Sequence, residues 1–289
     1  MYYFIVNPVA GGKRANKVFN KLKARLESEK IDYKYDYTET SGHATELAKK
    51  AALSGDLTVV CVGGDGTVAE VAEGLVGSDC AMGIIPSGTG NDFSRSLGIS
   101  TEYNTALNQL LSAGEKSIDI GQMGEKYFLN SAGIGFDVDV VLHTPVGKMV
   151  KGLFAYFIGV LGALIKLKSR KLKITTDDRV IEKEVLLVVL SNGKHFGGGM
   201  KVCPDASLED GKFDVVVIDK VKRLKVLRLL PKFISGKHVT LPIIEYFKSS
   251  EVEIEGESDY MQYDGRIIPY TSGKYKIRPK ALKVLFPAG

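Results

Sequence analysis

LTVVCVGGDGT, residues 57–67, decides how the rest of the chain is read. Its first half, Leu57–Val62, is a continuous apolar run of strand length, the pattern of a strand buried on both faces of a parallel sheet. Its second half is Gly63-Gly64-Asp65-Gly66-Thr67, and a helix is expected to follow, with Val68, Val71, Ala72 and Leu75 on its inner face. Glycine lets the backbone turn sharply and approach a phosphate with no Cβ in the way. The start of the helix offers N–H groups and the positive end of a dipole to an anion. Thr67 and Glu70 have the spacing of a capping box, which would start the helix near Thr67. The segment is neither a Walker loop nor a GxGxxG dinucleotide fingerprint, and a plain tight turn is the alternative reading of its glycines.

Upstream of this stretch, Tyr2–Val6 is a short apolar strand, and residues 13–30 place Ala15, Val18, Phe19, Leu22 and Leu26 at helical spacing. Tyr33, Tyr35 and Tyr37 alternate as on a half-buried strand, and a second helix buries Ala44, Leu47, Ala48, Ala51 and Ala52. Downstream, Ala81–Ile85 is the next strand. Strand–helix alternation of this kind predicts a parallel sheet covered on both faces, with ligands at the carboxyl ends of its strands. Two more small-residue loops sit at such ends: Asn7-Pro8-Val9-Ala10-Gly11-Gly12 and Pro86-Ser87-Gly88-Thr89-Gly90-Asn91-Asp92-Phe93. After about residue 120 the texture changes to short runs rich in Val, Ile and Tyr, at 171–176, 180–190, 212–219, 251–256, 258–263, 275–279 and 282–286. Such runs predict an antiparallel β domain, interrupted by helices over 149–168 and 222–236. The boundary lies near Gly121 with no flexible linker, so the two domains are expected to share a cleft.

Composition narrows the function classes. A chain of 289 residues with 44% hydrophobic and 25% charged residues suits a soluble globular enzyme of one large or two moderate domains. The net charge of +5 is mild, and its cations gather at 13–30, 148–183 and 220–237, where they either suit an anionic bilayer or form solvated helix faces. No dense basic stripe with stacking aromatics is present, so nucleic acid is not the expected partner. Cys61, Cys80 and Cys203 are scattered without a CxxC pattern, which reads as reduced thiols in a cytosolic protein. His43, His143, His195 and His238 lack metal-ligand spacing. MYYFIVNP reads as a strand, not a signal core. The most apolar run, Gly152 to Leu167, falls short of the roughly 20 residues a spanning helix needs, so it is expected to be buried, interfacial or the wall of a lipid-access groove.

NPVAGG at 7–12, GGDGT at 63–67 and PSGTGNDFSR at 86–95 resemble the diacylglycerol kinase catalytic domain, and specifically the bacterial soluble lipid kinases, relatives of the sphingosine kinases. Asp119, NSAGIGFD at 130–137, SNGKHFGGGMKVCPDASLEDG at 191–211 and YDG at 263–265 continue the resemblance over nearly the whole chain. GGDGT alone is shared with NAD kinases and resembles a phosphofructokinase loop, whereas PSGTGNDF and FGGGM favour the lipid kinases. The resemblance implies an α/β protein. Its residues 1–120 would form a doubly wound, phosphofructokinase-like nucleotide domain, rejoined by the last strand near 280–289. Residues 121–279 would form a β-rich, sandwich-like lipid-substrate domain, with catalysis between the two.

The resemblance also implies roles. Asn7, Pro8, Val9, Ala10, Gly11, Thr38, Gly64, Asp65, Gly66, Thr67, Val68, Ala69, Glu70 and Thr89 match nucleotide-contacting positions. Asp65, Asp92 and Asp119 match carboxylates that hold a catalytic Mg²⁺, which a triphosphate needs to neutralise its charge. Asp264 matches the position associated with the proton acceptor for the lipid hydroxyl, and a second, structural Mg²⁺ is implied at Asp210 and the carbonyls of Ser207 and Lys212. The family's DGE motif is here Asp264-Gly265-Arg266; arginine cannot accept a proton, and Asp-Gly is also the composition of a type I′ hairpin turn. The expected activity is ATP- and Mg²⁺-dependent phosphorylation of a lipid hydroxyl, with diacylglycerol first among diacylglycerol, phosphatidylglycerol, a sphingoid base and a polyprenol. An NAD kinase-like small-molecule kinase and a non-catalytic regulator that binds nucleotide or lipid are the other readings. The expected location is the cytoplasm, peripheral to the inner face of the membrane, with a homodimer left open.

Overall fold

The computed structural model describes residues 1–55, 58–144 and 152–287. It divides into two units, Met1–Asp119 with Lys280–Gly289, and Ile120–Pro279.

The first unit alternates strand and helix: β1 (Tyr2–Val6), α1 (Ala10–Ser28), β2 (Tyr33–Tyr37), α2 (His43–Ser54), β3 (Thr58–Gly63), α3 (Asp65–Leu75), β4 (Ala81–Pro86), α4 (Asp92–Ser96) and α5 (Tyr103–Leu111). The strands are parallel in the order β4-β3-β1-β2, with Phe4 opposite both Tyr35 and Val60. The chain runs outward from β1 to β2 and must then pass back over β1 to reach β3. Right-handed crossovers therefore put α1 on one face and α2 and α3 on the other, which is the doubly wound arrangement. Where the direction reverses, the loops after β1 and β3 diverge and leave a crevice at their carboxyl ends. Burial explains the helical spacing: Ala15, Val18, Phe19, Leu22 and Leu26 of α1 are buried, and Phe19 packs against Phe4 with ring centroids 5.5 Å apart. Leu57, read as the start of β3, lies outside the described residues.

Two strands bridge the units in sequence, β5 (Gly114–Met123) and β15 (Gly273–Phe286). The runs at 275–279 and 282–286 are thus one continuous strand, not two. Its last part is parallel to β4, pairing Lys283 with Ala81 and Val284 with Met82, and so belongs to the first unit.

The second unit is built from β6 (Lys126–Phe128), β7 (Ser131–Gly135), α6 (Phe136–His143), α7 (Gly152–Ile165), β8 (Arg170–Thr176), β9 (Val180–Ser191), β10 (Phe213–Asp219), α8 (Arg223–Ser235), β11 (Ile244–Ser249), β12 (Glu251–Gly256), β13 (Tyr260–Tyr263) and β14 (Arg266–Pro269), with the start of β15. Among the described residues, the pairs of β6 to β14 with one another, with β5 and with the start of β15 are antiparallel. The long β9 serves two layers. Its first half pairs with β8, and Leu187–Ser191 lie between β7 and β10. Strand alternation then divides the side chains. Val188, Leu190, Val215 and Val217 enter a core with Leu172, Ile174, Val252 and Tyr275, while Val189, Val216 and Ile218 face Val160, Leu164 and Val226 of α7 and α8, joined by Leu186 across a register shift in β9. Both faces of β10 are therefore buried, which is why its VVVI run reads as continuous rather than alternating. Of the helix expected over 149–168, residues 149–151 lie outside the described residues.

Candidate active site

Three loops of the first unit meet at the crevice. The loop after β1 is held by Asn7, whose Nδ2 donates to Thr67 Oγ1 at 2.9 Å and whose Oδ1 accepts the Val9 N–H. Gly11, with φ +59°, is so close to the next loop that an added Cβ would stand 2.1 Å from the Ser87 carbonyl oxygen. The loops after β3 and β4 interlock at two glycines: a Cβ on Gly88 would stand 2.4 Å from Gly64 Cα. The Ser87 N–H donates to the Gly63 carbonyl at 2.7 Å and closes the pair. Only glycine fits where two backbones touch.

The capping box does not form. Helix α3 starts at Asp65 with Gly64 as an extended N-cap and no side-chain cap. Thr67 sits inside the first turn, where its hydroxyl accepts from Asn7, and Glu70 Oε1 accepts from Ser41 Oγ at 3.2 Å. Capping-box spacing was thus produced by two cross-loop contacts. The first turn keeps N–H groups without intrahelical acceptors, which suit phosphate oxygens.

Asp65 is the pivot. Its Oδ2 accepts the Asn91 N–H at 2.7 Å and its Oδ1 the Phe93 N–H at 3.4 Å. Burial pushes its carboxyl up, against the pull of these two donors. Asp92, also buried, is its neighbour: a Cβ on Gly90 would stand 2.8 Å from Asp65 Oδ2 and 3.6 Å from Asp92 Oδ2, so both carboxylates bracket one glycine. Asp119 is buried and accepts the Lys280 N–H at 2.9 Å, tying β5 to the returning end of β15.

The loops border a cleft of about 490 Å³, lined by Asn7 to Gly11, Thr38, Gly64 to Thr67, Glu70 and Thr89. Val68 and Ala69, predicted to contact nucleotide, are buried side chains on the inner face of α3 and do not border it. Asp92 and Asp119 are not among the bordering residues either. Glu39, Thr40, Ser41 and Gly88 do border it and were not singled out from sequence. Gly88 lay within a quoted loop, whereas the 39–41 turn carries no glycine and its Ser and Thr read as ordinary loop chemistry.

In the second unit Asp264 occupies a type I′ turn between β13 and β14, with φ +45° at Asp264 and +78° at Gly265. Its carboxylate is clamped by backbone: Oδ2 accepts the Leu129 N–H at 2.6 Å, and Oδ1 accepts those of Asn130 and Ser131 at 2.8 and 3.1 Å. Burial raises its pKa, while the three N–H groups and Arg266 pull it down. Three of a carboxylate's roughly four acceptor positions are thus committed to holding the chain. The neighbouring motifs share the task. Asn192 Nδ2 donates to the Leu129 carbonyl, and Asn130 Nδ2 to that of His195. Sequence reading missed Asp137, which is fully buried, is pushed up to about 6 by burial, and takes a 3.2 Å hydrogen bond from Gln262 Nε2. It closes the quoted NSAGIGFD run, where it was given no role of its own, and it lies so near Gly133 that a Cβ there would fall 1.9 Å from Asp137 Oδ2.

The second Mg²⁺ expected at Ser207, Asp210 and Lys212 does not fit the residues present. Asp210 Oδ2 is paired with Lys248 Nζ at 2.6 Å, and its Oδ1 accepts the Lys212 N–H. The same ammonium lies 3.3 Å from Asp214 Oδ2 and donates to the Asp205 carbonyl. A lysine ammonium thus already neutralises the one carboxylate of the expected site. Among the described residues no group of three or more His, Cys, Asp or Glu side chains is placed to hold a metal.

A doubly wound unit with glycine loops at its switch point, followed by a β sandwich, is an architecture suited to binding a nucleotide, and the comparisons make the chain a lipid kinase. Residues 1–123 match the diacylglycerol kinase catalytic domain, and residues 130–286 match the YegS C-terminal NAD kinase beta sandwich-like domain. The chain belongs to the diacylglycerol kinase family. It is 30% identical over 288 residues to the diacylglycerol kinase of Bacillus subtilis, covering 98% of this chain and 95% of that one. With the diacylglycerol kinase of Mycobacterium tuberculosis it shares 30% identity over 290 residues, covering 98% and 94%. A solved diacylglycerol kinase from Bacillus anthracis superposes with a TM-score of 0.80 at 26% identity, covering 99% of this chain and 96% of that one. An NAD kinase from Archaeoglobus fulgidus in complex with ATP shares the fold alone, with a TM-score of 0.50 at 11% identity and coverage of 100% and 94%.

Proposed function

We propose that the protein transfers the γ-phosphate of ATP, as its Mg²⁺ complex, to the primary hydroxyl of diacylglycerol, giving phosphatidic acid and ADP. The observation that carries this reading is the glycine-built cleft of the first unit, where two backbones touch at Gly64 and Gly88 and the open first turn of α3 faces the same space. In this reading Asn7 to Gly11, Thr38, Gly64 to Thr67, Glu70 and Thr89 hold the nucleotide, Val68 and Ala69 support them from the core, and the second unit takes the lipid. The carboxylates fit a catalytic Mg²⁺. They are oxygen donors, Asp65 and Asp92 flank one point, and burial has raised Asp65 so that a nearby cation would stabilise its charged form. Asp65 and Asp92, with Asp119 in support, would hold the ion, which supplies charge neutralisation on the transferring phosphoryl group. Asp264 is proposed as the acceptor of the hydroxyl proton, with its turn as a fixed mount. Transfer of this kind draws mainly on positioning and electrostatics, so a weak base suffices. The substrate calls for work at a membrane surface, and among the described residues no helix is long and apolar enough to cross one.

The test is incubation of the protein with Mg²⁺, radiolabelled ATP and mixed micelles of diacylglycerol, with NAD as a parallel acceptor. Label should pass to the organic-extractable lipid, and Asp65→Ala should abolish the transfer. Label on NAD, or on no acceptor, would defeat the assignment.

A further inference from the structure

The turn from β2 into α2 forms one wall of the cleft in the first unit, since Thr38, Glu39, Thr40 and Ser41 all border it. Thr38 still belongs to the sheet, with its N–H donating to the Val6 carbonyl at 2.9 Å. Glu39 is the first residue whose N–H leaves the ladder, and it donates to Nδ1 of His43 at 3.1 Å. His43 opens α2, behind a Gly42 N-cap with φ +85° and no side-chain cap. Its imidazole therefore reaches back across the turn. An Nδ1 that accepts carries no hydrogen, so the ring that holds the turn is the neutral one protonated on Nε2. The His43 N–H donates in turn to the Thr40 carbonyl at 3.3 Å, and one residue grips the turn at two points.

The far end of the turn is fastened without the imidazole. Ser41 Oγ donates to Glu70 Oε1 at 3.2 Å, and Thr45 Oγ1 to the Glu70 carbonyl at 2.9 Å. Helices α2 and α3 approach so closely that a Cβ on Gly74 would stand 2.6 Å from Ala48 Cβ. Ser41 and α2 are thus held to α3 by other groups, and the ring governs the Glu39 end alone. Charge says which part of a nucleotide meets this wall. Glu39 and Glu70 border the cleft here, whereas the loops after β1 and β4 bring no acidic residue to its border. Asp65, the third acid of the border, turns its oxygens to the Asn91 and Phe93 N–H groups. Carboxylates repel a triphosphate but accept hydrogen bonds from hydroxyls, so the phosphates belong at the glycine loops and the nucleoside at the turn.

We propose that His43 is a positioning residue for the nucleoside half of ATP, its Nδ1 holding the Glu39 N–H and so fixing the 38–41 wall against which the nucleoside is seated. The proposal deepens the ATP-dependent kinase reading and rests on it for the identity of the nucleotide. Without the acceptor the Glu39 N–H turns to water, and the wall must be ordered as the nucleotide binds. That cost falls on ATP binding and not on the transfer step.

The test is calorimetric titration of ATP and of inorganic tripolyphosphate, each with Mg²⁺, into wild type, His43→Phe and His43→Asn. Phenylalanine keeps a ring and removes the acceptor, whereas asparagine returns an acceptor oxygen close to the position of Nδ1. His43→Phe should weaken ATP about five- to ten-fold, the size of one lost hydrogen bond, and leave tripolyphosphate within about two-fold because it has no nucleoside. His43→Asn should bind ATP nearly as wild type does. In transfer to diacylglycerol, His43→Phe should raise KM for ATP by the same factor with kcat unchanged. A folded His43→Phe with wild-type affinity for ATP would overturn the proposal. So would an equal loss of ATP and tripolyphosphate, or a His43→Asn as weak as His43→Phe, since each is what a merely structural histidine gives. The predicted binding pattern without transfer to diacylglycerol would leave the role of His43 standing and defeat the substrate reading instead. A wild-type protein that binds no ATP would overturn both.

Discussion

Asp65 in the first unit and Asp264 in the second are both carboxylates cradled by backbone N–H groups. Asp65 takes such bonds from Asn91 and Phe93, at the start of α4, and still borders a cleft of about 490 Å³. Asp264 takes three, from the segment leading into β7, and sits in a closed hairpin turn. The first cradle lies beside the crevice where the loops after β1 and β3 diverge, so one side is left open by topology. The second lies on an antiparallel sheet, where a hairpin folds back onto its neighbour and the carboxylate replaces ladder bonds. A hydrogen-bonded buried carboxylate is therefore not by itself a sign of chemistry; the open side is what differs.

The sharpest way to break this comparison is Asp65→Ala. Loss of a carboxylate that serves the transferring phosphate should lower kcat/KM by about three orders of magnitude or more, while ATP binding measured by calorimetry persists in weakened form. Near-normal transfer would mean that the open cradle is not the reactive one. Gly88→Ala comes next. Its Cβ would lie 2.4 Å from Gly64 Cα, so the interlocked loops must part, and transfer should fall about a hundred-fold alongside a stability loss of about 1–3 kcal/mol. A folded, fully active Gly88→Ala would show that the close approach is not needed.

Asp264→Asn probes the closed cradle. Turning an acceptor toward three N–H donors into an amide should cost about 2–3 kcal/mol in denaturant unfolding. If Asp264 also takes the hydroxyl proton, transfer by the folded fraction should drop about a hundred-fold beyond that loss. Retained transfer would leave it a purely structural clamp. Nearby Asp137 gives a pH signature. Its carboxyl is raised from 3.8 to about 6, so the folded state holds a proton that the unfolded chain has released. Stability should therefore be greatest at low pH on account of this group, and should fall by about 3 kcal/mol as pH rises from about 4 to about 6. Asp137→Asn should flatten that slope, and an unchanged slope would assign it to other groups. The smallest effect concerns Lys248. Lys248→Met should lower stability by about 1 kcal/mol, and Mg²⁺ without nucleotide should leave the wild-type melting midpoint where it is. A midpoint raised by Mg²⁺ alone would restore the second ion at Asp210.

Much of the first unit was legible because its signals are local. Each strand–loop–helix step shows its apolar period and its turn residues within about twenty positions, and glycine at Gly64 marks a steric demand that no other residue meets. The second unit gave up its class but not its details. Strands β5, β6, β7, β11 and β14 are short, glycine-bearing or weakly alternating, and β15 was cut in two at Lys280 and Ala281, where Lys280 has a φ of +52°. The capping-box misreading at Thr67 has the same origin, since its partner Asn7 is 60 residues away in sequence.

By itself the sequence determined the alternation of the first unit, the three loops at its strand ends and the antiparallel character of the rest, because period, turn chemistry and glycine act over a few residues. Only the tertiary structure decided that Asp65 and Asp92 share one glycine, that Asp264 is clamped by Leu129, Asn130 and Ser131, and that Lys248 answers Asp210. Those pairings join residues brought together by chain crossing, and the free energy of a hydrogen bond or ion pair depends on a distance that no local pattern encodes.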